Sequence, residues 1–325
     1  MTASPRGVDV QLAGTVYLDL VFTGLAGPPE AGQELRSKGF GASPGGIANL
    51  TLALRRLGLA VRLAAIFSTD VFGDDMWRAL VAEGVDLGGS VRLEGWPTPV
   101  TVSLAYRGDR SMITHECPLP EPVPSPSPGA GPPARAAVAF LGPERPTWLA
   151  GARATGSLVV ADVGWDESGR WSERDLDPLE HCDAFLPNAD EAMAYSRTSS
   201  PEAAARRLAE RVPLAVVKCS SEGVVAWRAG DDAPVREQPI DVEMVDATGA
   251  GDVFDAGFVY GLLAGWPLQH SLRLGNLCAG LSVRTPGGSL SAPGWPAIRE
   301  WLAGQPPGIA ERYRFLLDDG KDMKP

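Results

Sequence analysis

The chain is poor in cysteine, histidine and basic residues. Its 325 residues include four cysteines, three histidines and 29 lysines and arginines against 40 acidic residues, and the formal net charge is -11. The cysteines are widely spaced and form no C-x-x-C pair, so neither a zinc site nor a disulfide framework is expected, and free thiols favour the cytoplasm. The acidic excess argues against a nucleic-acid partner, because binding DNA or RNA requires basic residues that neutralise phosphates.

Several familiar segments and motifs are also absent. No hydrophobic run approaches the length of about 20 residues that a bilayer span needs, and the first residues lack a signal-peptide pattern, so no membrane partner is expected. The G-x-x-x-x-G-K-[ST] phosphate loop, the G-x-G-x-x-G dinucleotide loop, H-E-x-x-H and G-x-S-x-G do not occur. Hydrophobic residues still make up 44% of the chain, which is enough for a large core.

Apolar strand patterns alternate with helical patterns along most of the chain. This alternation predicts an α/β fold with a mostly parallel sheet covered by helices on both faces. The predicted strands are 8–14, 60–67, 137–142, 157–163, 214–219 and 223–227, and the predicted helices are 48–58, 74–84, 200–212, 252–263 and 268–284.

Two stretches, 15–25 and 98–108, do not fit this alternation of apolar strands and helices. They alternate polar and apolar residues, which predicts a small antiparallel sheet beside the main domain, with the function of a lid. We therefore expect a single domain over 1–318, with lid strands from about 15–38 and 97–116, and a frayed tail over 319–325. The Pro-rich stretch 117–136 is expected to be a surface connection.

The stretch VDATGAGDVFDAGFVYGLL (245–263) holds the candidate catalytic residues. If a helix begins at Asp252, the amides of Gly249, Ala250 and Gly251 are open donors that an anion can approach closely. They would cradle a phosphoryl group, and Asp252 beside it would accept the proton of an attacking hydroxyl. Taken alone, the same residues also fit a glycine turn followed by an acidic helix cap.

Two motifs together resemble the signatures of the PfkB, or ribokinase-like, carbohydrate kinase family. Residues 246–252 resemble its D-T-x-G-A-G-D signature, with Ala247 where threonine is common. PGGIANLTLALRRLG (44–58) resembles the other signature, a glycine pair followed by asparagine and a helix ending in Leu-Gly. The gap from the glycine pair to Asn49 is one residue shorter than usual.

Further segments follow in the order that this family shows. They are GTVYLD (14–19), STDVFGDD (68–75), PNADE (187–191), VVKCSSEGVV (216–225) and NLCAGLSVRTPGG (276–288). The resemblance implies substrate contacts at Asp19, Gly45, Gly46 and Asn49, and ATP contacts at Asn188, Lys218, Ser220, Gly223, Asn276 and Gly287. It also implies a magnesium ion organised by Glu191 through water, and a potassium ion held mostly by backbone carbonyls between Asp246–Thr248 and Thr285–Ser289.

The family resemblance implies a three-layer α/β/α sandwich with a small β lid and transfer of the ATP γ-phosphoryl group to a sugar hydroxyl. Two alternatives stay open: a nucleoside kinase of the same fold, and a catalytically silent sensor that binds sugar or nucleotide. Because family lids often pair, a homodimer through the lid is also expected.

Overall fold

The computed structural model describes residues 7–106, 109–121, 126, 133–285 and 288–318. Its strands are β1 (Val10–Ala13), β2 (Val16–Leu25), β3 (Gly39–Gly46), β4 (Val61–Ala64), β5 (Ile66–Ser68), β6 (Val91–Leu93), β7 (Val100–Tyr106), β8 (Asp109–His115), β9 (Ala136–Leu141), β10 (Leu158–Val163), β11 (Ala184–Phe185), β12 (Leu214–Lys218), β13 (Val224–Arg228) and β14 (Val235–Glu237). Its α-helices are α1 (Ile47–Arg56), α2 (Val71–Ala82), α3 (Leu149–Ala154), α4 (Ala189–Ser196), α5 (Pro201–Leu208), α6 (Ala250–Leu263), α7 (Leu268–Ser282), α8 (Trp295–Ala303), α9 (Pro307–Arg312) and α10 (Phe315–Asp318).

Eight strands form the central sheet, in the order β14-β13-β12-β11-β10-β9-β1-β4. Pairing is parallel from β12 to β4, and β13 and β14 add an antiparallel edge. Side chains along each strand alternate between two cores. In β9, for example, Ala136 and Val138 face one core and Ala137 and Ala139 face the other. Burial on both faces explains why these strands are apolar throughout.

The two cores lie beneath two sets of helices. One core joins the sheet to buried residues of α1, α2, α6, α7 and α8, and the other joins it to α3, α4 and α5. The predicted three-layer α/β/α sandwich is therefore confirmed, and the predicted helices agree with the structure to within a few residues. The predicted single strand 60–67 is wrong, because it is divided into β4, which joins the central sheet, and β5, which pairs with β6 in a separate sheet. None of the helices in the described part of the chain combines the length and hydropathy that a bilayer span needs.

A separate four-stranded sheet, which we call the lid sheet, has the order β3-β2-β7-β8. Within it, β2 pairs antiparallel with β3 and parallel with β7, and β7 pairs antiparallel with β8. The expectation that 15–25 and 98–108 form an antiparallel sheet is therefore wrong, because these two strands run parallel and each has its antiparallel partner elsewhere. The expected lid segment 15–38 contains β2, but its hairpin partner β3 lies at 39–46 and ends at Gly45 and Gly46. These glycines extend a strand of the lid sheet instead of forming an isolated turn.

The carboxyl ends of the central strands and the start of α6 meet at one edge of the sheet. Asp162 lies near the end of β10, Lys218 ends β12, and Asn188, just after β11, forms a bridge with Lys218. In parallel α/β sheets, ligands bind at this edge. Gly287, half of the Pro-rich stretch 117–136 and the expected tail at 319–325 lie outside the described residues.

Candidate active site

The start of α6 forms the centre of the site. Its N-cap is Gly249, with φ 72° and ψ 4°, and a methyl group built there would lie 3.0 Å from Cγ of Asn49. Glycine fits both the left-handed backbone and this close approach. The helical ladder begins with the Val253 amide donating to Gly249 O, which leaves the amides of Gly251 and Asp252 as first-turn donors.

Helix α6 begins two residues earlier than predicted, at Ala250. The amide of Ala250 donates to the carbonyl of Ala247 at 3.2 Å. The expectation that Ala250 presents an open amide is therefore wrong, because the turn that precedes the helix already uses this donor. The expected anion cradle would therefore be formed by the amides of Gly249, Gly251 and Asp252, without that of Ala250.

The Asp252 side chain lies in the first turn of α6 and is partly buried. Burial of the carboxyl group raises the pKa of Asp252 to about 7. The positive charge of Lys218 opposes this rise, the charge of Asp162 adds to it, and a hydrogen bond with Asn49 opposes it. An aspartate with this pKa is a stronger base than an exposed one, which suits proton transfer near neutral pH.

Asp19, the expected substrate residue, faces the same centre from β2. A methyl group built on Gly45 of the neighbouring strand would lie 2.0 Å from Asp19 Oδ2, so only glycine leaves room for this carboxylate. Burial and the charge of Asp246 raise the pKa of Asp19 to about 7, and Arg110 and Asn49 oppose the rise. Asn49 therefore acts on both Asp19 and Asp252.

Two buried polar atoms in this region have no hydrogen-bond partner within the part of the chain that the structure describes. They are Oδ1 of Asn49 and Oγ of Ser43. Ser43 lies directly opposite Asp19 across the β2–β3 pair, and cross-strand partners share a face of the sheet. Buried polar atoms in native proteins are normally paired, and among the described residues Arg62 Nη1 in β4, Ser271 Oγ in α7 and Tyr313 Oη after α9 are unpartnered as well.

The lid sheet also contacts the loop that precedes α6. Arg110 Nη1 donates to Ala247 O at 2.9 Å, and the hydroxyl groups of Ser103 and Thr248 lie 3.3 Å apart. Asp246 is buried and its Oδ1 accepts the Thr248 amide at 2.9 Å. These contacts therefore connect the lid sheet to the loop that leads into the glycine run.

Gly46, the other expected substrate glycine, ends β3 and precedes α1. A methyl group built there would lie 2.5 Å from Thr15 O. Gly46 thus lies at the base of the lid, next to Tyr17, whose hydroxyl donates to Glu116 at 3.0 Å.

Lys218 forms a buried ion-pair cluster with two aspartates. Its Nζ donates to Asp162 Oδ2 at 2.8 Å and lies 3.0 and 3.1 Å from the two carboxylate oxygens of Asp255. A methyl group built on Gly251 would lie 3.5 Å from the same nitrogen. The ammonium group therefore lies beside the anion cradle and is held there by β10 and α6.

The PNADE segment forms the N-terminus of α4. Asn188 is the N-cap, its Oδ1 accepts the Glu191 amide, and the Asn188 amide donates to Glu191 Oε2, both at 2.9 Å. This capping box supports the helix. Burial and the charge of Asp162 raise the pKa of Glu191 to about 7, while the Asn188 hydrogen bond and Lys218 oppose the rise.

The remaining expected nucleotide residues flank the β12–β13 turn. Ser220 is exposed with φ 50°, and Gly223 is buried against the backbone of Glu237. The Asn276 side chain donates to the carbonyls of Glu237 and Gln238, each at 3.1 Å, so it fixes the end of β14.

Sequence reasoning missed three residues of this site: Ser43, Asp162 and Asp255. A signal existed for the two aspartates, because each interrupts an apolar pattern, Asp162 in SLVVADV and Asp255 three residues after Asp252 in α6.

Among the residues that the structure describes, no three carboxylate, histidine or cysteine side chains are grouped to hold a metal ion. A cation here would depend on bound phosphates and water for most of its ligands.

Comparison with known proteins gives a family match over part of the chain. Residues 148–295 match the family model described as pfkB family carbohydrate kinase. The matched segment of 148 residues is similar to this carbohydrate kinase family and covers less than half of the 325-residue chain. The matched segment contains Asp162, Asn188, Lys218 and the glycine run with Asp252.

Three similar proteins are named kinases. An uncharacterized sugar kinase of Archaeoglobus fulgidus is 33% identical over 135 residues, which cover 40% of this chain and about half, 53%, of that protein. A 5-dehydro-2-deoxygluconokinase of Clostridium perfringens is 24% identical over 323 residues, covering 91% of this chain and 93% of that protein. The ribokinase of Cryptococcus neoformans, solved in complex with ADP, shares the fold with a TM-score of 0.74 at 22% identity, covering 91% and 100% of the two chains.

Proposed function

We propose that the chain is an ATP-dependent sugar kinase that transfers the γ-phosphoryl group of ATP to a hydroxyl group of a small carbohydrate. The observation that carries this proposal is the position of Asn49. Its side chain touches the cap of α6 and acts on both Asp19 and Asp252. A sugar held by Asp19 and Asn49 would therefore present a hydroxyl beside both the base and the anion cradle.

The transfer step needs three roles from the chain. The acceptor oxygen forms a bond to the γ-phosphorus while the bond from that phosphorus to the β,γ-bridging oxygen breaks, and ADP leaves. Asp252 takes the acceptor proton. The first-turn amides at Gly251 and Asp252 and the N-terminal end of the helix dipole stabilise the negative charge on the transferring group.

Magnesium fits the nucleotide side of the site. Glu191 and Asp252 both have pKa values raised by burial and by neighbouring carboxylates, and such an excess of negative charge suits a divalent cation. Glu191 would hold the ion through water. Magnesium bound to ATP would neutralise phosphate charge. The Asn188 capping box keeps the Glu191 side chain in place without the ion.

We also propose that potassium binds next to the loop 246–248 and activates the enzyme. Asp246 is a buried carboxylate there, and the amides of Val245 and Asp246 both donate to Val283 O, which ties this loop to the end of α7. A cation at this junction would fix the loop that leads into the cradle. Gly287, on the opposite side of the expected cation site, lies outside the described residues.

The acceptor is a polyhydroxylated molecule. The unpartnered Asn49 Oδ1 and Ser43 Oγ, together with the carboxyl group of Asp19, offer hydrogen bonds to several hydroxyl groups at once. Arg110 places positive charge near Asp19, which favours a sugar that carries an acid group. The Clostridium relative is named for a substrate of this kind.

The decisive experiment measures phosphoryl transfer with purified protein, ATP and magnesium across free sugars, sugar acids, sugar phosphates and nucleosides. We expect ADP and a phosphorylated sugar in equal amounts, and loss of at least about 99% of the rate in Asp252→Asn. Asp74→Asn, a first-turn aspartate of α2 paired with Arg92 at the surface, is the matched control. If only nucleosides were phosphorylated, the protein would be a nucleoside kinase and not a sugar kinase. Acceptor binding without turnover would identify a sensor.

We propose that the lid sheet pairs with that of a second copy of the chain. Its face opposite Asp19 carries Phe22 and Val102, together with Phe40 and Ile113, which are 60% and 66% exposed. Such a contiguous apolar face on a small sheet is typical of a protein interface. Light scattering should give twice the monomer mass. Ile113→Lys should give the monomer, and a monomeric unmodified protein would contradict this proposal.

A further inference from the structure

The Asp162–Lys218–Asp255 cluster is a closed set of ion pairs inside the protein. The side chains of the three residues are 7%, 11% and 1% exposed. An ammonium group has three donors, and Lys218 Nζ has three carboxylate oxygens within 3.1 Å. All of its hydrogen bonds are therefore directed to the protein, so Lys218 acts on a bound anion through its charge and not through a direct hydrogen bond.

The position of the cluster relates it to the transfer step. The nitrogen of Lys218 lies 3.5 Å from the point where a methyl group on Gly251 would be. Asp255 follows Asp252 by three residues in α6, so the two aspartates lie on the same face of the helix, one turn apart. The ion pair from Lys218 to Asp255 therefore joins the end of β12 to the helix turn that carries the base.

The electrostatic balance explains why two aspartates hold one lysine. Burial alone would lower the pKa of Lys218, but the charges of Asp162 and Asp255 reverse this and raise it above its usual value. Burial and the charge of Asp162 raise the pKa of Asp255, and the Lys218 ammonium group, which lies 3.0 and 3.1 Å from its two oxygens, opposes this rise. The two carboxylates therefore keep Lys218 positively charged, although burial alone would favour the neutral amine.

We infer that Asp255 is a positioning residue, which holds the Lys218 ammonium beside Gly251 so that its charge stabilises the transferring phosphoryl group. This inference rests on the proposed kinase function. An ion pair kept only for structure could lie anywhere in the core, whereas the nitrogen of this one lies 3.5 Å from a methyl position on Gly251, in the first turn of α6. Asp255 itself touches neither substrate.

Binding of a phosphoryl mimic tests this inference without knowledge of the acceptor. Calorimetry would compare magnesium–ADP alone with magnesium–ADP plus aluminium fluoride, which mimics the transferring group. In Asp255→Asn we expect the affinity gain from aluminium fluoride to fall at least about tenfold, while ADP alone binds within about twofold of the unmodified protein. The control is Asp86→Asn, which removes a carboxylate from an ion pair with the buried Arg62 side chain, in a region outside the site.

A kinetic arm separates positioning from folding and from ATP binding. With an acceptor that the unmodified enzyme phosphorylates, Asp255→Asn should lower kcat at least about tenfold and leave both KM values within about threefold. Asp255→Glu, which keeps the charge, should recover part of kcat or of the aluminium fluoride gain. The inference is overturned if the folded Asn variant keeps the aluminium fluoride gain, or if only the KM for ATP changes. Absence of turnover in the unmodified protein would instead contradict the proposed function, and the calorimetric arm would still decide the role of Asp255.

Discussion

Replacement of Asp252 by asparagine should change activity and stability in opposite directions. Burial raises the pKa of this carboxyl group to about 7 from an ordinary 3.8. A group with a raised pKa in the folded state stabilises the fold fully below its unfolded pKa, and this contribution is lost as the pH rises through 7. Above pH 7 the unmodified protein therefore carries a destabilising charge that asparagine does not have.

The size of this effect follows from the shift. About three pKa units at 1.36 kcal/mol each give an upper limit of about 4 kcal/mol. The side chain is only partly buried and Lys218 and Asn49 compensate its charge, so we expect a net gain of about 1–3 kcal/mol. For a chain of this size, a gain of that magnitude corresponds to a rise in Tm of roughly 2–6 °C.

The assay compares Tm and kcat of the two proteins between pH 5.5 and 8.5. Asp252→Asn should lower kcat at least about 100-fold, and its advantage in Tm should grow with pH up to about 8. The unmodified enzyme should lose about tenfold in kcat for each pH unit below 7, because the base becomes protonated. A variant less stable than the unmodified protein at pH 8.5, or one with near-normal kcat, would refute this reasoning.

Three further predictions concern other parts of the site. Glu191→Gln should raise the magnesium concentration for half-maximal rate at least about threefold without raising the sugar KM; an unchanged magnesium midpoint with a raised sugar KM would remove Glu191 from the nucleotide side. Potassium chloride should give a faster initial rate than sodium or tetramethylammonium chloride at equal ionic strength, and Asp246→Asn should abolish the difference; equal rates in all three salts would exclude activation. Gly45→Ala should displace Asp19, because its methyl group would lie 2.0 Å from the carboxylate, and raise the sugar KM at least about tenfold while ADP binding stays the same. Gly142→Ala, where a methyl group meets nothing within 4 Å, should leave both unchanged; a normal sugar KM in Gly45→Ala would show that Asp19 does not bind the sugar.

Much of the fold could be predicted from the sequence because the central strands are buried on both faces. That burial requires unbroken apolar runs such as LAVVK in β12, which a sequence shows directly. Strand β3 was not predicted, since GFGASPGG has neither an apolar run nor a clear alternation. Its conformation is imposed by pairing with β2, and Gly45 leaves the space that the Asp19 carboxylate occupies.

The site was predictable where its chemistry depends on local backbone, as at the start of α6 and the cap of α4. It was not predictable where distant elements meet. The sequence places Lys218 near the nucleotide only through a family resemblance, and it contains no local signal that Asp162 and Asp255, 56 and 37 residues away, hold the ammonium group. The engaged amide of Ala250 was missed for a related reason, because the turn from Ala247 that uses it precedes the helical pattern.

Three carboxyl groups of the candidate site have raised pKa values. Asp19, Glu191 and Asp252 come from β2, α4 and α6, and the protein raises the pKa of each to about 7 by burying it near other carboxyl groups. Such an arrangement costs stability, and natural proteins retain costs of this kind where function requires them. The unpartnered oxygens of Ser43 and Asn49 add a further cost at the same place. A ligand with hydroxyl groups on the Asp19 side and a magnesium-bound phosphate on the Glu191 side would offset both costs, and Asp252, between them, is where the proton and the phosphoryl group would be exchanged.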